Sequence, residues 1–380
     1  MTKSMKFHKK NYSFLNITFV TMLLLSTPAQ ALDVRIQGFA DLVASKSNTD
    51  YNLGAINNLG KRLTLDSESQ LGLNLSSDLG NDLFFSGQIT TSEEEDGLYN
   101  LGMQWFFITY RPTERLAFRV GRQINPIYLY SEQIDVGYIY PWVRLPTEVY
   151  GIDPLQAFVG ASAIYTVIKN DLQWRAQLFA GGGSFTLDSP TGPFSGTLDN
   201  DKGVDLSVSS DNFKVRLGYS AVSPQLTSSV QVPIAPGPIT GTFVVPVNVG
   251  NLQIFSGGAS TEYLHFMGMA EVIRIHGDGS LIRDSTGAYG TLGYHVTSKL
   301  TPYATYSWQG NLSGVAYTFP DANVSTTPKT DQHSWMLGLN FRTSPSVVVK
   351  GEYMRTQQHF VDLTKDFGSN TFTTSVDFVF

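Results

Sequence analysis

The sequence predicts an all-β fold, a transmembrane antiparallel barrel of about 16 strands. Three observations predict it. Apolar and polar residues alternate with period two along most of the chain. The connections between alternating segments are in turn very short and long. The composition is 42% hydrophobic and 12% aromatic but only 15% charged, where a soluble domain carries about 25%. A mean hydropathy close to zero excludes a polytopic helical membrane protein. Such a balance fits strands with one face in lipid and one in water.

The chain starts with Lys3, Lys6, Lys9 and Lys10 and has no acid before Asp33. Phe14 to Ser26 is mostly apolar, and Thr27-Pro28-Ala29-Gln30-Ala31 follows. Small residues at Ala29 and Ala31 suit a signal peptidase, so residues 1–31 read as an export signal cleaved after Ala31. The apolar stretch, about 13 residues, is too short to span a bilayer. The four lysines leave with the signal, which takes the net charge from −6 to about −10 for residues 32–380. There is no cysteine, hence no disulfide or thiol chemistry.

Leu71, Leu73 and Leu75 alternate with Gln70, Asn74 and Ser76, Leu172, Trp174, Ala176 and Leu178 with Gln173, Arg175 and Gln177, and Trp335, Leu337, Leu339 and Phe341 with Ser334, Asn340 and Arg342. The strands predicted are 33–43, 61–77, 82–92, 100–111, 115–124, 157–168, 172–183, 202–210, 212–222, 251–260, 263–275, 285–296, 299–309, 331–342, 346–357 and 370–380. Short turns such as Lys169-Asn170-Asp171 and Ser210-Asp211-Asn212 are built from turn formers. Long connections are expected at 44–60, 93–99, 125–156, 184–202, 223–250, 276–284, 311–330 and 358–369. A soluble sandwich shows the same alternation. The uninterrupted length and the aromatics near strand ends (Trp105, Tyr110, Tyr219, Tyr294, Trp308, Trp335) favour a closed membrane barrel with an interfacial girdle. The last strand ends in Val376-Asp377-Phe378-Val379-Phe380, and Phe372, Val376, Phe378 and the terminal Phe380 share one face. This pattern is similar to the assembly signal of bacterial outer-membrane proteins.

With Arg35-Ile36-Gln37-Gly38-Phe39-Ala40-Asp41 in the first strand, Glu68-Ser69-Gln70-Leu71-Gly72 in the second, Val120-Gly121-Arg122-Gln123 before a long third connection, and Phe380 at the end, the chain resembles the trimeric Gram-negative porins. The resemblance implies a homotrimer in the outer membrane, in contact with lipid and lipopolysaccharide and inserted by the barrel-assembly machinery through the C-terminal strand. It implies that the third loop, here 125–156, folds into the pore, with its acids facing arginines on the wall. The acids are Glu132, Asp135, Glu148 and Asp153, with Arg144 among them, and the wall arginines are Arg35, Arg62, Arg119, Arg122 and Arg175, with Arg216 and Arg342 as further candidates.

Alternation itself puts Arg35 with Gln37 and Asp41, and Arg62 with Asp66 and Glu68, on the lumen side. A charge on the lipid face costs about 2–4 kcal/mol at mid-bilayer. Arg122 is a conflict. Alternation with Leu116, Phe118 and Val120 turns it outward, while the resemblance turns it inward, and a bulge at Gly121 would reconcile the two. The aromatics of the third loop, Tyr128, Tyr130, Tyr138, Tyr140 and Trp142, offer a stacking surface for solutes or packing against the wall. The acidic run Glu93 to Asp96 reads as a solvated loop or a cation site between lipopolysaccharide phosphates.

No catalytic motif, metal-ligand spacing or phosphate loop is present, and the histidines are scattered, so neither an enzyme nor a cofactor is expected. The acidic charge argues against nucleic acid. The function expected is a water-filled channel for passive diffusion of small hydrophilic solutes and ions, mildly favouring cations. The alternatives are a substrate-specific channel of the same fold, for anions, dicarboxylates or oligosaccharides, and an adhesin-like barrel.

Overall fold

The computed structural model describes residues 33–49, 60–65, 68–93, 99–152, 156–187, 194–233, 240–248, 250–278, 284–312, 317–318, 325–326, 330–360 and 365–380. The export signal, Asp66, Asp153 and the run Glu94 to Asp96 lie outside them.

In chain order the first strands are β1 (Val34–Ser47), β2 (Gln70–Gly80), β3 (Leu83–Glu93), β4 (Tyr99–Tyr110), β5 (Leu116–Ile124), β6 (Ala157–Lys169), β7 (Leu172–Leu187), β8 (Phe194–Ser209) and β9 (Phe213–Pro233). Then follow β10 (Thr240–Asn248), β11 (Leu252–Tyr263), β12 (Phe266–Gly277), β13 (Ser285–Tyr294), β14 (Leu300–Leu312), the short pair β15 (Tyr317–Thr318) and β16 (Ser325–Thr326), β17 (Thr330–Ser344), β18 (Val347–Phe360) and β19 (Lys365–Val379). β1 pairs antiparallel with β2 and also with β19, from Phe39 opposite Val379 to Ser47 opposite Thr371, and so closes the sheet. β11 pairs with Phe213–Val222 of β9, and β10 pairs with the continuation Gln225–Pro233. The wall is therefore a closed antiparallel barrel of 16 strands, above which the β9–β10 hairpin projects. Closure leaves no unpaired edge, the condition for a sheet to lie in hydrocarbon.

The two faces are inverted relative to a soluble protein. Leu101, Leu217, Leu292 and Leu337 are more than half exposed on the outside, while Gln332, Ser334, Thr305 and Asp377 are buried within. Tyr110, Tyr294, Trp308 and Trp335 are exposed on the outer face as expected of a girdle. At the short-turn end, Asn81 and Asp82, and Asn170 and Asp171, all have positive φ between 52° and 61°. That backbone gives the right-handed twist that two-residue hairpins need, and Asn and Asp tolerate it. The terminal residue is locked into the wall: Gly38 N–H donates to Phe380 O (2.7 Å), and Phe380 N–H donates back to Gly38 O (2.9 Å).

Several strands run longer than the sequence reading, as β8 from Phe194 and β19 from Lys365 do, and three further differences matter more. β2 begins at Gln70 instead of residue 61. The hydroxyl of Ser69 accepts from Val43 N–H (2.9 Å) and donates to Leu65 O, so a side chain replaces the ladder there and the chain turns away. Arg62 consequently sits exposed in the connection before β2, between Gly60 and Thr64, whose backbones bond to Ser47 and Ser45 of β1. The stretch 223–250, expected as a loop, is largely the β9–β10 hairpin, because Val230, Val232, Thr242, Val244, Val245 and Val247 favour strand despite the prolines around them. The third difference is a bulge in β4, which repositions part of the site.

Candidate pore constriction

The connection after β5 turns into the barrel. Asn125 N–H donates to Gln156 O (2.8 Å) and pins its base. Two 3-10 turns, Ser131–Gln133 and Gly137–Ile139, and one helical turn, Thr147–Tyr150, shape it. Its apolar side forms a buried cluster: Ile127, Tyr128, Tyr140, Trp142, Val149 and Tyr150 pack against Ile254, Ile273, Tyr289, Tyr303 and Met336 of the wall. The loop aromatics Tyr128, Tyr140 and Trp142 thus face the wall rather than a solute.

Polar bonds fix the loop at several places, four of them beside this cluster. Trp142 Nε1 donates to Thr305 Oγ1 (2.8 Å). Lys350 Nζ donates to Gly137 O (2.6 Å) and Trp142 O (2.7 Å) and pairs with Asp377 (2.8 Å). Glu271 accepts from Leu129 N–H (2.8 Å), Tyr289 Oη (2.7 Å) and Tyr150 Oη. Glu148 accepts from Ser307 Oγ (2.7 Å), Gln332 Nε2 (2.9 Å) and Ser334 Oγ. Gly287 makes room for the helical turn: a Cβ there would stand 1.9 Å from Glu148 O.

Glu148 was expected among the lumen acids, but it is fully buried between loop and wall. Its three donors make it an anchor instead. Arg144, the cation among the loop acids, is spent on Glu68, with Nε 2.6 Å from Oε1 and Nη2 on Oε2.

The opposite edge of the loop is acidic and reaches the wall at β2, β3, β5 and β7. Glu132 lies between Arg119 (Nη1 at 2.8 Å) and Arg175 (Nη2 at 3.5 Å). Arg175 also approaches Asp205 (3.8 Å), which Arg216 Nε holds at 2.6 Å. The Glu132 carboxylate is enclosed by the barrel yet half open to lumen solvent. Enclosure pushes its pKa up, but Arg119 and Arg175 outweigh it and hold the group below its ordinary range. Asp135 accepts from Gln88 Nε2 (2.6 Å), and its main-chain oxygen accepts from Gln70 Nε2 (2.6 Å). Burial lifts its pKa to about 6, since the single side-chain bond from Gln88 only partly offsets the loss of water.

The predicted arginines therefore divide. Arg119 and Arg175 meet the loop acids. Arg35 has the inner parity of Phe39 and Asp41 but stands at the barrel mouth, exposed and paired with Asp33 (3.7 Å). Arg342, beside the Tyr138 ring (5.5 Å), is also exposed. Arg122 is on the outer face: its register partners are Phe106 and Val159, both lipid-side residues, and its Nε donates to Gln104 O (2.8 Å). Placing it on the pore wall is therefore corrected. Gly121 takes φ +140° without a change of register, so the parity of β5 never shifts.

The bulge lies one strand away, where Gln88 is opposite Trp105 but Ile89 is opposite Met103. The extra residue, Gln104, turns Trp105 inward, out of the girdle where the sequence reading put it. There Trp105 and Phe107 line a cavity of about 380 Å³ with Phe84, Arg111, Arg119 and Glu132. The sequence carried a signal for this. Apolar parity in β4 switches from odd at Leu101 and Met103 to even at Phe106, Ile108 and Tyr110.

A charged loop crossing a closed barrel is the architecture of a channel. The family model for Gram-negative porins matches residues 18–359.

This chain belongs to the Gram-negative porin family.

Solved structures share the fold of this porin at low identity. A loop-deletion form of OmpT, an outer membrane protein of Vibrio cholerae, aligns at TM-score 0.58 and 13% identity, over 92% of this chain and 100% of that one. OmpF of Salmonella typhi, in complex with daunomycin, aligns at 0.53 and 12%, over 91% and 97%. An anion-selective porin from Comamonas acidovorans aligns at 0.53 and 13%, over 92% and 100%. No curated protein matches the sequence. Family and fold make the chain an outer-membrane channel. The short turns then face the periplasm and the long connections the exterior.

Proposed function

We propose that this porin passes small hydrophilic solutes and ions by passive diffusion, without catalysis and without a cofactor. The observation that carries the reading is the third loop inside the barrel, with Glu132 and Asp135 set against Arg119, Arg175 and Gln88 where the loop crosses the lumen. An adhesin needs neither an inward loop nor lumen charges. Opposed charges across a water-filled passage orient dipolar solutes and weight the flux of ions.

The working unit proposed is a homotrimer. An outward guanidinium at Arg122 supports it, because a subunit contact would spare that charge from lipid. Export would cleave residues 1–31, and the outer face of β19, with Phe372, Val376, Phe378 and Phe380, would be read by the assembly machinery. Lipopolysaccharide is the lipid partner proposed for the extracellular rim, where Arg355 and His359 are exposed on β18.

Planar-bilayer recording of the purified, folded protein tests the reading. Stepwise conductance increments in KCl are expected. Membranes that stay silent, with insertion verified independently, would overturn it.

A further inference from the structure

Barrel interiors of this class are polar. The periplasmic vestibule departs from that rule. Phe84, Trp105 and Phe107, on the adjacent strands β3 and β4, are all half-buried and all line one cavity of about 380 Å³. That volume is in the range of small-molecule sites. None of the three belongs to the buried cluster under the third loop. Trp105 and Phe107 stack with ring centroids 5.4 Å apart and planes 23° apart. The Arg119 guanidinium lies 4.6 Å above the Phe107 ring, and the Arg111 guanidinium 4.6 Å above Phe84.

A guanidinium stacked on a ring keeps its N–H donors in its own plane, pointing away from the ring and free for a second partner. The acids around the cavity are already engaged. Asp33 pairs with Arg35, Glu132 with Arg119 and Arg175, and Asp78 accepts from Gly80 N–H (2.9 Å). Among the described residues, Arg111 is exposed and has no acidic partner, whereas Arg119 is bonded to Glu132 and its Nε is closed off from solvent. An exposed guanidinium without an acidic partner beside half-buried rings suits a flat apolar body that carries an anionic group.

We propose that Trp105, Phe107 and Phe84, with Arg111, form a subsite for planar aromatic carboxylates on the periplasmic side of the constriction. The ring of the solute stacks on the aromatic wall and its carboxylate takes the guanidinium donors of Arg111. Contact is non-covalent, so a bound solute leaves toward the periplasm unchanged. The subsite rests on the channel reading for the route by which the solute arrives.

Benzoate is the probe, with cyclohexanecarboxylate as a control of the same charge and similar size but no flat ring. Saturation-transfer NMR on the detergent-folded protein reads binding directly. Benzoate is expected to bind saturably and about fivefold more tightly than the control. Trp105→Ala and Arg111→Gln are each expected to weaken benzoate by about fivefold. Arg111 is exposed at the barrel mouth, so its variant tests the site even if Trp105→Ala misfolds. Equal binding of the two anions, no saturable binding to the wild type, or unaltered binding by folded Arg111→Gln would each overturn the proposal. The measurement needs no conduction, so a silent bilayer would sink the channel reading while leaving this result to stand or fall separately.

Discussion

Arg122 on β5 donates from Nε to the main-chain carbonyl of Gln104 on β4, across 2.8 Å. Gln104 is the extra residue of the β4 bulge, and an extra residue leaves backbone groups without a ladder partner. The guanidinium meets that carbonyl from the outer face and so fixes the register that turns Trp105 into the lumen.

Arg122→Ala removes a charge-assisted bond, and a loss of about 2 kcal/mol is expected. Thermal unfolding of the detergent-solubilised protein measures it. Because Arg122 stands outside the lumen, the reversal potential in a KCl gradient should stay near the wild-type value. A shift as large as that from Arg119→Ala would return Arg122 to the pore.

Glu132 neutralises part of the charge on Arg119 and Arg175. Glu132→Gln leaves Arg119 without a carboxylate partner and Arg175 with only Asp205, which Arg216 shares. The anion-to-cation permeability ratio should rise, clearly at 0.1 M salt and much less at 1 M, since the screening length falls from about 10 Å to about 3 Å. An unchanged ratio at low salt would remove this ion cluster from the permeation path.

Asp135 gives the channel a pH response. Its pKa is lifted to about 6, so the carboxylate is charged at pH 7.5 and protonated at pH 5. A raised carboxylate pKa means that negative charge is lost early as pH falls, and selectivity should move toward anions across that interval. Asp135→Asn should show the acid-side selectivity at both pH values. Reversal potentials measured at pH 7.5 and 5 decide the matter, and a wild-type response identical to that of the variant would refute it.

Glu148 ties the helical turn of the third loop to β14 and β17 through Ser307, Gln332 and Ser334. Glu148→Ala strands these buried donors, at about 1–3 kcal/mol for each one left without an acceptor. The loop should loosen, and the open-channel current should become noisier with more brief closures. Glu148→Gln retains an acceptor oxygen and should be milder. Quiet, wild-type-like currents from Glu148→Ala would show that the apolar cluster alone holds the loop.

Export processing is checked by intact mass. The protein recovered from outer membranes should begin at Leu32, shorter by residues 1–31. A mass that retains the basic segment would rule out cleavage after Ala31.

The sequence by itself determined the barrel, its 16 strands, the alternation of lipid and lumen faces and the length of the third loop. These follow from local rules: a period-two pattern assigns faces, and Asn-Asp pairs with positive φ mark the hairpins. Alternation also put Arg119 on the lumen side, and the resemblance to porins put Glu132 and Asp135 on a loop facing the wall arginines, Arg175 among them.

Only the tertiary structure decided which charges meet. Glu132 and Arg119 are close because the loop folds back across the lumen, and Glu148 is hidden because its turn lands on Gly287 and three polar side chains of distant strands. Residue type cannot separate a lumen acid from an anchoring one, since both are carboxylates on the same loop. Likewise one inserted residue at Gln104 moved Trp105 from the outer belt to the inner wall, and its carbonyl meets Arg122, which the alternation of β5 holds outside. With a side-chain period of two, a shift of one reverses every face beyond it.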